Sequence, residues 1–187
     1  MPKLLLRTLE AADLSTRVAW FNTPSVSEHM ALEIPLSIAD TQQWFAQNRL
    51  SRSRKDFVAE LEANREITLA AMFGLIGLHS RDRNAELYIV VNPTMTQKGI
   101  GQKVVQWLCN YGFNNLGLER IYLYTMPDNH IARHVYEKNG FVFEGKLRHH
   151  VFHAGTFKDR YVHGLLREDW KKQPWHIEGA IPLEIDL

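Results

Sequence analysis

The sequence predicts one α/β domain: a mixed, mostly antiparallel twisted sheet flanked by helices. Two features of the segment order predict it. A helical front is followed by strand-like segments, and a strand–loop–helix–strand–helix unit then precedes a last hairpin. That order leaves one parallel strand pair, joined through a helix, in an otherwise antiparallel sheet. The chain has 187 residues, the size of one domain, and no repeat, linker or low-complexity segment divides it. The domain is expected over residues 1–170, with 171–187 a tail that packs on it or on a second copy.

Leu4 to Leu9 reads as the first strand. Asp13 or Ser15 caps a helix carrying Leu14, Val18, Trp20 and Phe21, which ends near Asn22-Thr23-Pro24. Ser37, with Asp40 three residues on, has the form of a capping-box variant opening a helix through Trp44, Phe45 and Leu50. Residues 56–63 suit helix or strand. Residues 66–72 and 75–79 read as two strands turning at Phe73-Gly74. Glu86 to Val91 is strongly β-prone and is stopped by Asn92-Pro93. After a glycine loop, Val104, Val105, Leu108, Tyr111 and Leu116 form a helical stripe. Residues 121–124 are a strand. Asp128 or Asn129 caps a helix with Ile131, Val135 and Tyr136, and Asn139-Gly140 is a left-handed ending. Strands at 141–143 and 161–166 flank an Ala154-Gly155 turn.

Composition excludes several classes. Lys and Arg number 22 against 21 Asp and Glu, a formal net charge of +1, which argues against a nucleic-acid binder. No apolar run reaches the ~18 residues of a membrane span, and the apolar stretch in Met1 to Arg7 is too short for a signal peptide. The single cysteine, Cys109, excludes an internal disulfide and a cysteine-rich zinc site. A cytoplasmic protein without membrane partners is expected. His149, His150 and His153 cluster in sequence, but strand alternation points 149 and 150 to opposite faces, so no metal is expected.

The unit from the strand at 86–91 to the helix at 102–116 carries the chemistry. Gly99 and Gly101 let the backbone approach a ligand closely, and the free amides at the helix start favour a phosphate or pyrophosphate. Lys98 and Lys103 add charge. A tight turn before a helix explains two glycines equally well. The loop lacks the Gly-Lys-Ser/Thr of a nucleoside-triphosphate loop and the third glycine of a dinucleotide fingerprint.

Glu86-Leu87-Tyr88-Ile89-Val90-Val91, Lys98-Gly99-Ile100-Gly101-Gln102 and the segment from Asn129 to Phe141 together resemble the GNAT superfamily of acyl-CoA-dependent N-acyltransferases. The front, Trp20 to Met30, and the ending, Glu144 to Arg148 with Tyr161 and Leu165 to Trp170, are similar to its ribosomal-protein and spermidine acetyltransferase branch. The glycine loop and front most resemble nucleotide-sugar N-acyltransferases of that branch. Thr96 departs from the Arg or Gln that the superfamily places three residues before its first glycine.

The resemblance implies that the sheet splays at the acyl-CoA site. It places the acyl-CoA on backbone groups of Ile89, Val90 and Val91 and on the loop Lys98, Gly99, Ile100, Gly101, Gln102 and Lys103. Asn129, Ala132 and Arg133 join them from the next helix. Tyr136 is then the acid that protonates the leaving thiolate. A phenol of pKa about 10 suits a thiol of pKa about 8.5. A core tyrosine has the same helical spacing.

Attack on the thioester needs a neutral amine. Glu86 is the expected base, and His79 or water could serve in its place. The acceptor side holds Trp20, His29, His79, Arg148 and His149, aromatic and basic groups that suit a nucleotide-linked amino sugar. Only scattered carboxylates, Glu28, Glu33 and Asp40, speak for a polyamine. Acetylation of a protein N-terminus fits the same motifs, and so does a non-enzymatic acyl-CoA sensor. Monomer and homodimer both fit.

Overall fold

A computed structural model describes residues 2–95 and 99–187, so the expected contact Lys98 lies outside the described residues with Thr96 and Gln97. Eight strands form one sheet: β1 (Lys3–Thr8), β2 (Arg54–Ala63), β3 (Glu66–His79), β4 (Asn84–Val91), β5 (Arg120–Thr125), β6 (Val142–His153), β7 (Thr156–Leu166) and β8 (Glu184–Asp186). Their spatial order is β6-β7-β5-β4-β3-β2-β1-β8. Among the described residues only β4 and β5 pair in parallel; the other neighbours are antiparallel. The expected sheet is thus present.

Helices α4 (Ile100–Asn114) and α5 (His130–Lys138) cover one face, and α1 (Leu14–Phe21), α2 (Pro24–Ser27) and α3 (Ile38–Asn48) the other. Strand alternation divides the side chains. Ala85, Leu87, Ile121 and Leu123 join the core under α4 with Val104, Leu108 and Tyr136. Val58, Met72 and Val90 join a second cluster with Leu14, Trp20 and Phe21. Ser37 caps α3 by accepting the Asp40 amide at 3.0 Å, as its sequence predicts.

Two local expectations are corrected. Phe73-Gly74 is not a turn, because β3 runs unbroken from Glu66 to His79. The hairpin turns earlier, at Asn64 and Arg65, with φ of 54° and 67°. Gly74 is there for a different reason. A Cβ at this position meets the Lys55 carbonyl at 2.3 Å and Tyr88 Cε1 at 2.7 Å, so the missing side chain is what lets the Tyr88 ring lie across β3. Asp13 is the second. It precedes α1, but its carboxylate accepts Arg7 at 2.8 and 2.9 Å and the Glu10 amide at 2.8 Å instead of capping that helix.

Residues 171–187 pack back on the domain. After a short α6 (Arg167–Trp170), the chain runs along α4 from its C-terminal end toward its N-terminus, then adds β8 beside β1.

Candidate active site

The parallel pair positions the site. The β4–β5 ladder consists of Asn84↔Arg120, Ala85↔Ile121 and Glu86↔Tyr122 only. Beyond Glu86 the strands diverge, while β4 stays paired to β3 through Val91↔Ala71. Backbone groups of Ile89, Val90 and Val91 that face away from β3 therefore line a slot in the sheet, where an extended amide chain can add itself as a strand does. Ile89 and Val91 rest on the α4 side, and Val90 is buried in the second cluster.

The slot leads to the glycine loop. Gly99 is the left-handed cap of α4, with φ 101°, a conformation that favours glycine. Ile100 is buried and anchors the turn. Gly101 has no steric need to be glycine within the protein, since a Cβ meets only Val91 Cγ2 at an ordinary 3.6 Å. Its bare backbone is instead suited to close approach by a ligand. Gln102 lies in the first turn of α4, where amides lack helical partners and the helix dipole is positive; the Lys103 amide already donates to the Gly99 carbonyl at 3.0 Å, so Lys103 brings its side-chain charge and not a free amide. The amides of residues 99–102 with the Lys103 side chain thus fit a pyrophosphate group.

On the other side of the slot, Asn129 caps α5, its Oδ1 accepting the Ala132 amide at 3.1 Å. Ala132 packs against the core. Arg133 lies over the Tyr161 ring at 5.3 Å, and its Nε is buried without a partner. Tyr136, one turn further on, is 7% exposed and meets Phe141 edge-on at 5.8 Å between ring centroids. Burial, with a smaller contribution from the nearby Cys109, pushes the Tyr136 phenol above the ordinary tyrosine range.

The face opposite α4 presents Glu86, Tyr122, Tyr124 and Arg160. Tyr122 and Tyr124 stand edge to face at 5.7 Å, Arg160 lies over Tyr124 at 4.6 Å, and His150 tilts on the same ring at 5.2 Å. Glu86 is half-buried, and desolvation raises its pKa although Arg160 opposes the shift. A carboxylate so placed is a better base than an exposed one.

Beside it, the Tyr88 hydroxyl donates to Asp56 Oδ1 at 2.5 Å, and Arg54 donates to both Asp56 oxygens at 2.7 Å. Arg17 stacks on Phe21 at 3.9 Å and on Trp44 at 4.4 Å.

Other expected acceptor residues are dispersed. Trp20 is a core residue in the second cluster. His79 lies exposed at the end of the β3–β4 hairpin, its Nδ1 accepting the Asp82 amide at 3.1 Å, two ladder positions past the Ile76↔Glu86 pair. Arg148 is exposed on β6. His29 is half-buried, 3.6 Å from Glu28. His149 has φ 49° at an irregularity in β6, donates its amide to Asp159 at 2.8 Å, and stacks on Phe157 at 5.8 Å.

Glu28 and His149 meet in a cavity of about 350 Å³ with Met126, Pro127, Asp128, His153, Phe157, Lys158 and Asp159. Three carboxylates converge there from α2's end, the β5–α5 link and the last hairpin. Asp159 is paired with Lys146 at 2.7 Å. Scattered in sequence, Glu28, Asp128 and Asp159 give no local signal. Tyr122 and Tyr124 are legible, since alternation with Ile121 and Leu123 sets them on the face away from α4.

Known proteins resemble the chain over most of its length. Spermidine N(1)-acetyltransferase of Escherichia coli (strain K12) is 28% identical over 154 residues, covering 82% of this chain and 81% of the relative. The uncharacterized N-acetyltransferase YoaA of Bacillus subtilis is 27% identical over 169 residues, covering 88% and 94%. The fold superposes on the crystal structure of spermidine N-acetyltransferase from Vibrio cholerae in complex with CoA and spermine. That match has a TM-score of 0.82 at 28% identity, covering 89% of this chain and 96% of the other. The expected likeness to nucleotide-sugar enzymes finds no support in these relatives. Residues 3–142 match the acetyltransferase (GNAT) domain family, and with the splayed strands and glycine loop in place the chain belongs to that family of acyl-CoA-dependent N-acyltransferases.

Proposed function

We propose that the chain transfers an acetyl group from acetyl-CoA to a primary amine of a small polyamine. The cavity joining Glu28, Asp128 and Asp159 carries this reading. It adjoins the cap of α5, and its carboxylates outnumber its one lysine. A flexible acceptor with several ammonium groups matches such a lining. The likeness to spermidine acetyltransferases supports the same class.

The glycine-loop amides and the open edge of β4 hold the acyl-CoA. Glu86, directly or through one water, takes a proton from the acceptor ammonium, freeing the lone pair. The amine nitrogen attacks the thioester carbon and the carbon–sulfur bond breaks. Tyr136 supplies the proton that the departing thiolate takes up; the new amide nitrogen sheds its remaining extra proton, which returns through solvent to the Tyr136 phenolate, and the proton on Glu86 leaves to bulk water. A tyrosine phenol is protonated at neutral pH even at its ordinary pKa, so the proton is there to give; burial raises the Tyr136 pKa and makes that proton harder to release.

A nucleotide-linked amino sugar is the second reading. Arg160, whose Nε is buried without a partner beside Tyr124, favours it, because a guanidinium over an aromatic ring suits a base and a phosphate. Thiol release from acetyl-CoA, measured with spermidine, spermine, a nucleotide amino sugar and a peptide amine, separates the two. The polyamine reading expects turnover with spermidine or spermine that falls in Glu28→Gln/Asp128→Asn. Turnover with the amino sugar alone overturns it.

A further inference from the structure

We propose that the C-terminal segment 171–187 is a positioning element for the acyl-CoA loop, with Leu187 as its residue beside Gly99. The proposal rests on the reading that residues 99–103 hold the pyrophosphate. The segment is fastened to α4 at three levels of one face. Asn114 Nδ2 donates to the Ile177 carbonyl at 2.6 Å. One turn back, Asn110 Oδ1 accepts both Trp170 Nε1 at 2.8 Å and the Ile177 amide at 3.0 Å. One turn further, Trp107 Nε1 donates to the Pro182 carbonyl at 2.6 Å.

The same segment is then fastened to the sheet. The Leu6 amide donates to the Leu183 carbonyl at 2.8 Å, β8 pairs with β1 from Leu5↔Glu184 to Lys3↔Asp186, and the Leu187 amide donates to the Pro2 carbonyl at 3.2 Å. The Leu187 side chain then packs on the α4-side core, and its Cδ1 lies 4.0 Å from where a side chain on residue 99 would begin, so it stands beside the loop. Val91 Cγ2 stands 3.6 Å from the corresponding point at Gly101.

Asn110 and Trp107 are 2% and 4% exposed, and their polar groups are spent on this segment. A cover for apolar surface alone needs no such polar bonds. The bonds fix the axial position of α4 relative to the sheet, and so the aim of its first amides. Amides at a helix start bind an anion only when aimed at it, and small misplacements are costly. Leu187 stands at the α4 start, whereas α5, which carries Tyr136, meets α4 further along through the Gln106 to Asn139 bond at 2.9 Å, so loss of the Leu187 side chain is expected to fall on acetyl-CoA binding before the chemical step.

The test compares steady-state kinetics of Leu187→Ala, Leu187→Met and a chain ending at Leu183, with Gly101→Asp as reference. In Leu187→Ala the KM for acetyl-CoA is expected to rise about fivefold while kcat and the acceptor KM stay within about twofold. Leu187→Met keeps an apolar side chain of similar length beside Gly99 and is expected to keep the KM near the parent value. The shortened chain is expected to show a larger rise. Leu187→Ala removes one side chain and leaves the pairing of β8, so it stays informative if the shortened chain fails to fold. An unchanged acetyl-CoA KM in Leu187→Ala, with a raised one in Gly101→Asp, overturns the positioning role and leaves the loop reading intact. No change in Gly101→Asp overturns both.

Discussion

Tyr136 and Glu86 sit in opposite chemical situations, although burial raises the pKa of both. For the phenol, protonated at neutral pH in any case, this makes the proton harder to release. For the carboxylate it raises the pH below which the base is lost. Glu86 works ionised, so kcat/KM is expected to fall as pH drops through its raised pKa, above the range where an exposed carboxylate titrates. Arg160 favours the ionised form, so Arg160→Gln is expected to move that acid limb to still higher pH. Glu86→Gln is expected to flatten it. An acid limb unmoved in both variants removes Glu86 as the base.

Tyr136→Phe is expected to lower kcat about 10²-fold, the lower end of what a general acid contributes, with little change in acetyl-CoA affinity by titration calorimetry. Unchanged turnover removes the acid role. Both proposed roles start from the sequence, because each residue stands inside a contiguous motif. The acidic cavity is not, because its carboxylates come from three distant segments. Trp20 shows the reverse limit: its residue type fits a stacking platform and a core equally, and only packing decides between them.

Element by element, the sequence locates periodic segments well and fails where tertiary contact overrides local signal. The cap at Asn129 and the left-handed Gly140, with φ 88°, follow from local chemistry and are present. Phe73-Gly74 reads as a turn because glycine usually marks one. Its actual cause is the Tyr88 ring, which belongs to another strand. Gly74→Ala is expected to destabilise the fold by about 2–3 kcal/mol, since the backbone Lys55 carbonyl cannot move aside as a side chain does. Urea unfolding measures it, and a loss under about 0.5 kcal/mol contradicts that cause. Tyr88→Ala in the same background is expected to recover part of the loss. Asn110→Ala orphans Trp170 Nε1 and the Ile177 amide together, and is expected to cost a similar amount. The strand β8 carries no signal beyond Leu183 and Ile185 near the end of the chain; it exists because β1 offers an open edge.

Across the whole molecule, the sheet is legible as mostly antiparallel with one parallel pair, because a strand–helix–strand unit can close only that way. Its strands are unequal in support. β3 and β4 have neighbours on both sides and helices on both faces, while β6 is an edge strand exposed along most of its length. Native-state hydrogen exchange is expected to be slowest in the centre of β3 and fastest in β6 and the hairpin tip at Ala154-Gly155. Equal protection in β6 and β3 contradicts this.

The short β4–β5 ladder has a consequence beyond opening a slot. Among the described residues, three residue pairs are the only strand bonding between two blocks, β8-β1-β2-β3-β4 and β5-β7-β6. The first block carries the glycine loop. The second carries Tyr136's helix and one wall of the acidic cavity. Side-chain packing does what strand bonding does not, since one core runs through both blocks from Leu4, Phe73 and Leu87 to Ile121, Leu123 and Leu165. The exposed positions of β6 lie outside that core, so exchange there can alter the acceptor wall while the packing of the donor half is kept.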